Sequence, residues 1–170
     1  MIKKICLIAI FICSSLFINL PEPVSAAKDL KADQVVVYKG NRTLQLLRKG
    51  RIIREYRVAL GKNPVGHKIH RGDNRTPEGS YTLAWRNPNS KFHLSINVSY
   101  PDGIDEEVAK SLGLNAGDAI MIHGLPNDRT AQQVGHPYRD WTNGCIAVTN
   151  NEIREIWSMV DDGTPIAIWP

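Results

Sequence analysis

A cysteine is a good nucleophile only as its thiolate, so a cysteine that does chemistry needs a base or an electropositive setting. Cys145 sits in the run Asp140-Trp141-Thr142-Asn143-Gly144-Cys145-Ile146-Ala147-Val148. Gly144 allows close backbone approach, and consecutive N–H groups at such a turn, those of Asn143 and Gly144, can face an oxyanion. The apolar run after Cys145 would root it in a core. The plainer reading is a small buried hydrophobe, a common fate of free cysteines, and spacing alone does not separate the two. Five histidines could supply a base. His123 ends the apolar run Ala119 to Ile122 and precedes Gly124, a place where a scaffold presents a site residue. His136, in a loop shortly before Cys145, is the second candidate. His67-x-x-His70 has a spacing that can hold a metal, but no cysteine or carboxylate cluster accompanies it, so solvated loop residues are expected there and no metal. His93 alternates within a strand and reads as packed or partly buried. No Gly-rich phosphate loop follows a strand, which argues against nucleotide chemistry.

The elements that must position these residues are mostly strands. Residues 34–38 are rich in valine, Gly40-Asn41 signals a turn, and 43–48 and 51–60 are two further strand runs around Lys49-Gly50. Residues 61–79 carry several Gly, Pro and polar residues and read as a long loop, of a length that in compact domains tends to be functional or mobile. Residues 81–85, 92–100 and 119–122 are the next strands, and 164–169 the last. Two helices are expected. One is short, over 105–112, with Asp105 as its cap and Gly113 as its stop. The other carries Ile153, Ile156, Trp157 and Val160 at i, i+3, i+4 and i+7, opened by a Thr149/Glu152 capping box and closed by Gly163 and Pro165. The architecture is therefore mainly β with one or two short helices, in a single domain over 34–170.

The whole chain has 170 residues, 42% hydrophobic and 22% charged, which excludes wholesale disorder, collagen and coiled coil. Its net charge is +4 and no block of five like charges occurs, so no nucleic-acid partner is expected. The beginning has a different character. Lys3 and Lys4 precede an apolar run from Ile5 to Leu20, and Val24-Ser25-Ala26 supplies small residues, the layout of a secretory signal over 1–26. The run falls short of the roughly 20 residues that a bilayer span needs, so no lasting membrane anchor is expected. Residues 27–33 form a short lead-in. Cleavage after Ala26 would remove Cys6 and Cys13, leaving Cys145 alone in an exported chain, where it has no internal disulfide partner.

His123-Gly124, a loop, and then Thr142-Asn143-Gly144-Cys145 together resemble the signature of the L,D-transpeptidases with a YkuD-type catalytic domain. The segment Gly72-Asp73-Asn74-Arg75-Thr76-Pro77-Glu78-Gly79, followed by Tyr81, is also similar to one found in these domains. The resemblance implies a YkuD-like β-sandwich. It also implies a cysteine-dependent enzyme that acts on peptidoglycan stem peptides, forms a thioester at Cys145 with loss of the terminal D-alanine, and passes the acyl group to an amine. In that scheme His123 is general base and proton donor. Thr142 or a backbone carbonyl orients it, and the N–H groups of Asn143 and Gly144 hold the oxyanion. Gly124, Arg139 and Arg75 are candidates for contact with substrate, the two arginines reading equally well as solvated surface. Such chemistry needs neither metal nor cofactor. Carbapenem-type acylating inhibitors are expected to bind, and export to a periplasm or cell-wall space follows from the signal. Asn143 stands where the usual signature has histidine, and Ala147 where it has arginine or asparagine. An L,D-hydrolase on the same fold, or a catalytically inactive wall-binding module, are the alternatives.

Overall fold

The computed structural model describes residues 30–170. The expected signal segment and the first part of the lead-in lie outside them. Valines at 35 and 37 are fully buried in β1 (Gln34–Tyr38), and β2 (Thr43–Arg48) buries Leu44 and Leu46 against the same core. β3 (Arg51–Arg57) returns along β2 through Lys49 and Gly50, whose φ angles of 51° and 72° are those of the hairpin turn that matches strand twist. Then come β4 (Gly79–Ser90), β5 (His93–Val98), α1 (Gly103–Ser111), β6 (Met121–His123), α2 (Ala131–Val134), β7 (Ile146–Ala147), α3 (Asn150–Met159) and β8 (Pro165–Trp169).

The strands lie in the order β3-β2-β1-β8-β4-β5-β6-β7. The β1–β8 and β6–β7 pairs are parallel and the rest antiparallel. β4 links the two halves: residues 79–82 pair with β8, and from Leu83 onward, through two register shifts, the strand pairs with β5. One apolar core draws on both halves, from Val35, Leu44 and Ile166 to Ile96, Ile122 and Ile146, and α3 closes it with Ile153 and Ile156. The chain beyond β3 then meets the far edge. Ala59 and Ala147 exchange two backbone hydrogen bonds (3.0 and 2.8 Å), Thr142 N–H donates to Leu60 (3.1 Å), and Lys62 N–H donates to Thr142 (3.0 Å).

The mainly β expectation matches this architecture, with one helix more than the sequence reading counted. The second helix keeps its Thr149/Glu152 capping box. In α1 the cap is Asp102 rather than Asp105: Asp102 accepts from the Ile104 and Asp105 N–H groups, and Asp105 occupies the third helical position, closing the box on the Asp102 N–H. Two acids three residues apart both satisfy the sequence pattern, and it is the first whose side chain meets the free N–H groups. The added helix, α2, is a single turn with its own Thr130/Gln133 box. It is too short to show a hydrophobic period. The long loop before β4 is anchored from beneath: Lys39 is buried and donates to the Gly66 and Thr76 carbonyls and to Glu78 (2.7, 2.8 and 2.7 Å).

Candidate active site

β6 and β7 run parallel with Ile122 opposite Ile146 and His123 opposite Ala147. Cys145 comes directly before β7, two positions back from the residue facing His123. Alternation therefore places sulfur and imidazole on the same side of the pair. The local geometry of the turn is set by backbone contacts. Gly144 has φ 134° in a space where a Cβ would lie 2.6 Å from the Arg75 carbonyl oxygen, so the 75 and 144 segments touch only because residue 144 is glycine. Gly61 sits in the same crossing, with Asn74 and Gly144 backbone on either side. Asp140 ties the turn down further: its carboxylate accepts from the Leu60 N–H (2.9 Å) and from the Arg42 guanidinium (2.8 Å at Oδ2).

His123 is buried, its ring tilted against Phe92 (4.4 Å between centroids) and edge-on to Trp141 (5.6 Å). Nδ1 donates to the Gly124 carbonyl at 2.7 Å, which leaves Nε2 as the basic nitrogen. Burial pushes its pKa down to about 4, with His136 acting in the same direction and the Gly124 carbonyl opposing, so the ring is neutral at pH 7. Cys145 is partly exposed and lines a cavity of about 190 Å³ with Lys68, Arg71, Gly117, Asp118, Ala119, Ile120 and Asn143. Its thiol donates to the Ala119 carbonyl (3.5 Å) rather than to the imidazole. Burial pushes the thiol pKa up, against a backbone hydrogen bond from Met121 and the Lys68 charge.

Other predicted residues fall into place around this pair. The Thr142 hydroxyl donates to the Cys145 carbonyl (2.8 Å) and accepts from the Gly144 N–H (3.1 Å), so it fastens the turn and does not meet His123. The same bond occupies the Gly144 N–H. Asn143 is exposed, its side-chain oxygen accepting from Lys62 (3.1 Å). Gly124 is buried and receives the Nδ1 hydrogen bond, while its own N–H donates to Phe92 (3.1 Å). Arg139 is exposed and stands apart from the cavity, and Arg75 packs behind the turn, its guanidinium donating to the His67 carbonyl (3.3 Å). His136 is buried with Nδ1 unpartnered among the described residues. The His67/His70 pair is split. His67 accepts from the Glu78 N–H (3.0 Å) and donates to Asp105 (2.9 Å), whereas His70 bonds the Arg71 carbonyl (2.8 Å). His67 is thus a fixed strut, not a solvated loop residue. His93 bonds Arg154 (2.8 Å) at the surface.

The sequence reading passed over Lys68, Phe92 and Trp141. Lys68 is buried in the loop before β4, paired with Asp73 at 2.8 Å. For Asp73, burial would raise the pKa, but the Lys68 bond and the N–H groups of Arg75, Ile69 and His70 together outweigh it and bring it to about 2. A separate window belongs to His123. An unfolded histidine takes up a proton below about pH 6.5 and the buried one only near pH 4, so stability falls by about 3 kcal/mol as pH drops across that interval. Asp73 then adds a loss of about 2 kcal/mol between pH 4 and 2, because its folded pKa lies below the unfolded one. Urea melts across pH 8 to 2 are expected to show both steps, and His123→Gln to shrink the upper one without touching the lower, the remainder of the upper step belonging to His136, whose pKa burial also lowers. A flat profile above pH 4 in the wild-type chain would contradict the buried neutral ring.

This fold is that of the L,D-transpeptidase catalytic domains, whose family model matches residues 32–168. The chain belongs to that family, the YkuD family. YafK of Escherichia coli K12, provisionally named an L,D-transpeptidase, is 29% identical over 134 residues, covering 74% of this chain and 46% of that protein. Among solved structures, the helical cell shape determining protein Pgp2 of Campylobacter jejuni is similar at 26% identity and TM-score 0.61, covering 79% of this chain and 46% of that one. Bd1075 of Bdellovibrio bacteriovorus is similar at 27% identity and TM-score 0.54, covering 84% and 49%. The chain spans about half the length of these relatives. Among the described residues no helix is long and apolar enough to cross a membrane, and no group of three His, Cys, Asp or Glu is placed to hold a metal.

Proposed function

We propose that this chain is an exported enzyme that transfers acyl groups from peptidoglycan stem peptides through Cys145. The observation that carries the reading is a partly exposed thiol lining a cavity, directly before a strand paired in parallel with the one that ends in His123. The neutral His123 takes the thiol proton on Nε2 as the sulfur attacks the carbonyl carbon of the substrate amide. The C–N bond then breaks, the leaving D-alanine amine recovers that proton from the imidazolium, and a thioester remains on Cys145. An amine attacks this thioester in transpeptidation, restoring the thiol; water in its place would make the enzyme a hydrolase. Because Nδ1 is held by Gly124, the ring presents the same nitrogen in both half-reactions. With the Gly144 N–H engaged by Thr142, the N–H groups of Asn143 and Cys145 are the donors left for the oxyanion.

A carbapenem tests the reading directly, since its strained carbonyl acylates such a thiol without needing an acceptor; an L,D-transpeptidase of this fold has been solved with imipenem. Mass spectrometry of residues 27–170 after incubation with imipenem is expected to show one adduct, mapping to Cys145. An unmodified Cys145 after prolonged incubation would overturn the proposal. With stem peptides, new cross-links mark transpeptidation, and D-alanine release without them marks the hydrolase.

A further inference from the structure

Resting on the thiol chemistry just proposed, we infer that Lys68 is the electrostatic partner of the Cys145 thiolate, a positioning residue supplied by the loop before β4. Lys68 and Cys145 line the same cavity, and the lysine side chain is only 4% exposed. Its ammonium has three N–H donors, of which one reaches Asp73 (2.8 Å) and one the His70 carbonyl (3.0 Å). The third has no hydrogen-bond partner among the described residues, and the Tyr100 ring centroid lies 5.9 Å from the nitrogen. Lys68 lines the cavity of Cys145, whereas Asp73 borders a different one, with Asn63, Ile69, His70 and Arg75.

The rest of the surroundings cannot supply that charge. His123, on the neighbouring strand, is held neutral by burial. Arg71 lines the cavity but is 64% exposed and paired with Asp118, itself 73% exposed (3.2 Å), so solvent screens both. Lys62 is exposed and engaged by Asn143. Within the described residues Lys68 is the one buried cation on this cavity, and buried charges act through a lower dielectric than surface ones. Four hydrogen bonds lock Asp73, from Lys68 and from the N–H groups of Ile69, His70 and Arg75, so the lysine is held in place before any substrate arrives.

The test is the pH dependence of Cys145 alkylation by iodoacetamide in residues 27–170, where it is the lone thiol. Lys68→Met is expected to raise the midpoint by about one unit, slowing alkylation about tenfold below it, and Lys68→Arg to restore it in large part. Since Lys68→Met strands a buried carboxylate, the double variant Lys68→Met/Asp73→Asn is run beside it and is expected to show the same upward shift. A second measurement needs no Lys68 variant. In Arg71→Ala, the ratio of iodoacetate to iodoacetamide rates is expected to exceed that of free cysteine several-fold, because a facing cation favours the anionic reagent. An unmoved midpoint in the folded variants, or a free-cysteine ratio in Arg71→Ala, overturns the role of Lys68 while leaving Cys145 as nucleophile. Absence of alkylation at every pH would instead remove the thiol chemistry on which the inference stands.

Discussion

Replacing Cys145 by alanine is expected to lower turnover of stem peptides by at least about 10⁴-fold and to abolish the imipenem adduct, because among the described residues no other thiol and no hydroxyl lines the cavity. The measurement is release of D-alanine from a tetrapeptide stem, read alongside intact mass. The thermal midpoint should stay close to that of the parent chain, since the side chain is small and its hydrogen bonds, to the Ala119 carbonyl and from the Met121 backbone, are those of a thiol. That combination separates loss of chemistry from loss of fold. An alanine variant that still releases D-alanine at more than a few per cent of the parent rate would mean that another group attacks. The wall-binding alternative would then be dead as well, since activity without the thiol is still activity.

Gly144→Ala is the second large effect, and it works through the backbone. A Cβ at 144 would meet the Arg75 carbonyl oxygen at 2.6 Å and the Ile120 Cδ1 at 3.1 Å, at a φ of 134° that L side chains rarely adopt. Strain of this kind costs about 1–3 kcal/mol, and an intruding methyl in packed surroundings costs a similar amount again, so a loss of about 3 kcal/mol is expected. In a domain of this size that lowers the thermal midpoint by about 10 °C. The carbonyl is backbone and cannot swing aside, so relief comes from displacing the turn, and with it the bond network of Thr142. Imipenem acylation should therefore slow even at temperatures where the variant is folded. A midpoint within about 2 °C of the parent, with acylation unchanged, would show that the 75 and 144 segments separate freely.

Much of this arrangement was legible because it is written in local patterns. The Thr149/Glu152 box and the spacing of Ile153, Ile156 and Val160 specify α3 without reference to anything else. The His123-Gly124 and Thr142 to Cys145 segments were singled out as a pair, and one lies at the end of β6 while the other leads into β7 beside it. What stayed hidden depends on partners far away in the chain. β4 extends past residue 85 through Arg86, Asn87 and Pro88, a polar run outside the expected strand that pairs with β5 beside it. Thr142 was expected as one candidate to orient His123, yet its hydroxyl is consumed within its own turn. Lys68 looks like one more loop cation until the path of residues 61–78 folds it inward onto Asp73 and Tyr100. Phe92 and Trp141 clamp the imidazole from separate segments on either side of it in the chain, a relation that no spacing rule contains.

The pairing of Ala59 with Ala147 has a consequence for how a ligand can be read. An extended peptide often docks by adding itself as one more rung to an unpaired border, so that main-chain bonds give affinity irrespective of side chains. Here the border next to the thiol is already occupied by the protein's own residues 59–62, which leaves that mode of capture nothing to grip. For the proposed peptide substrate, discrimination then rests on end groups and side chains that meet the walls formed by Lys68, Arg71 and residues 117–120.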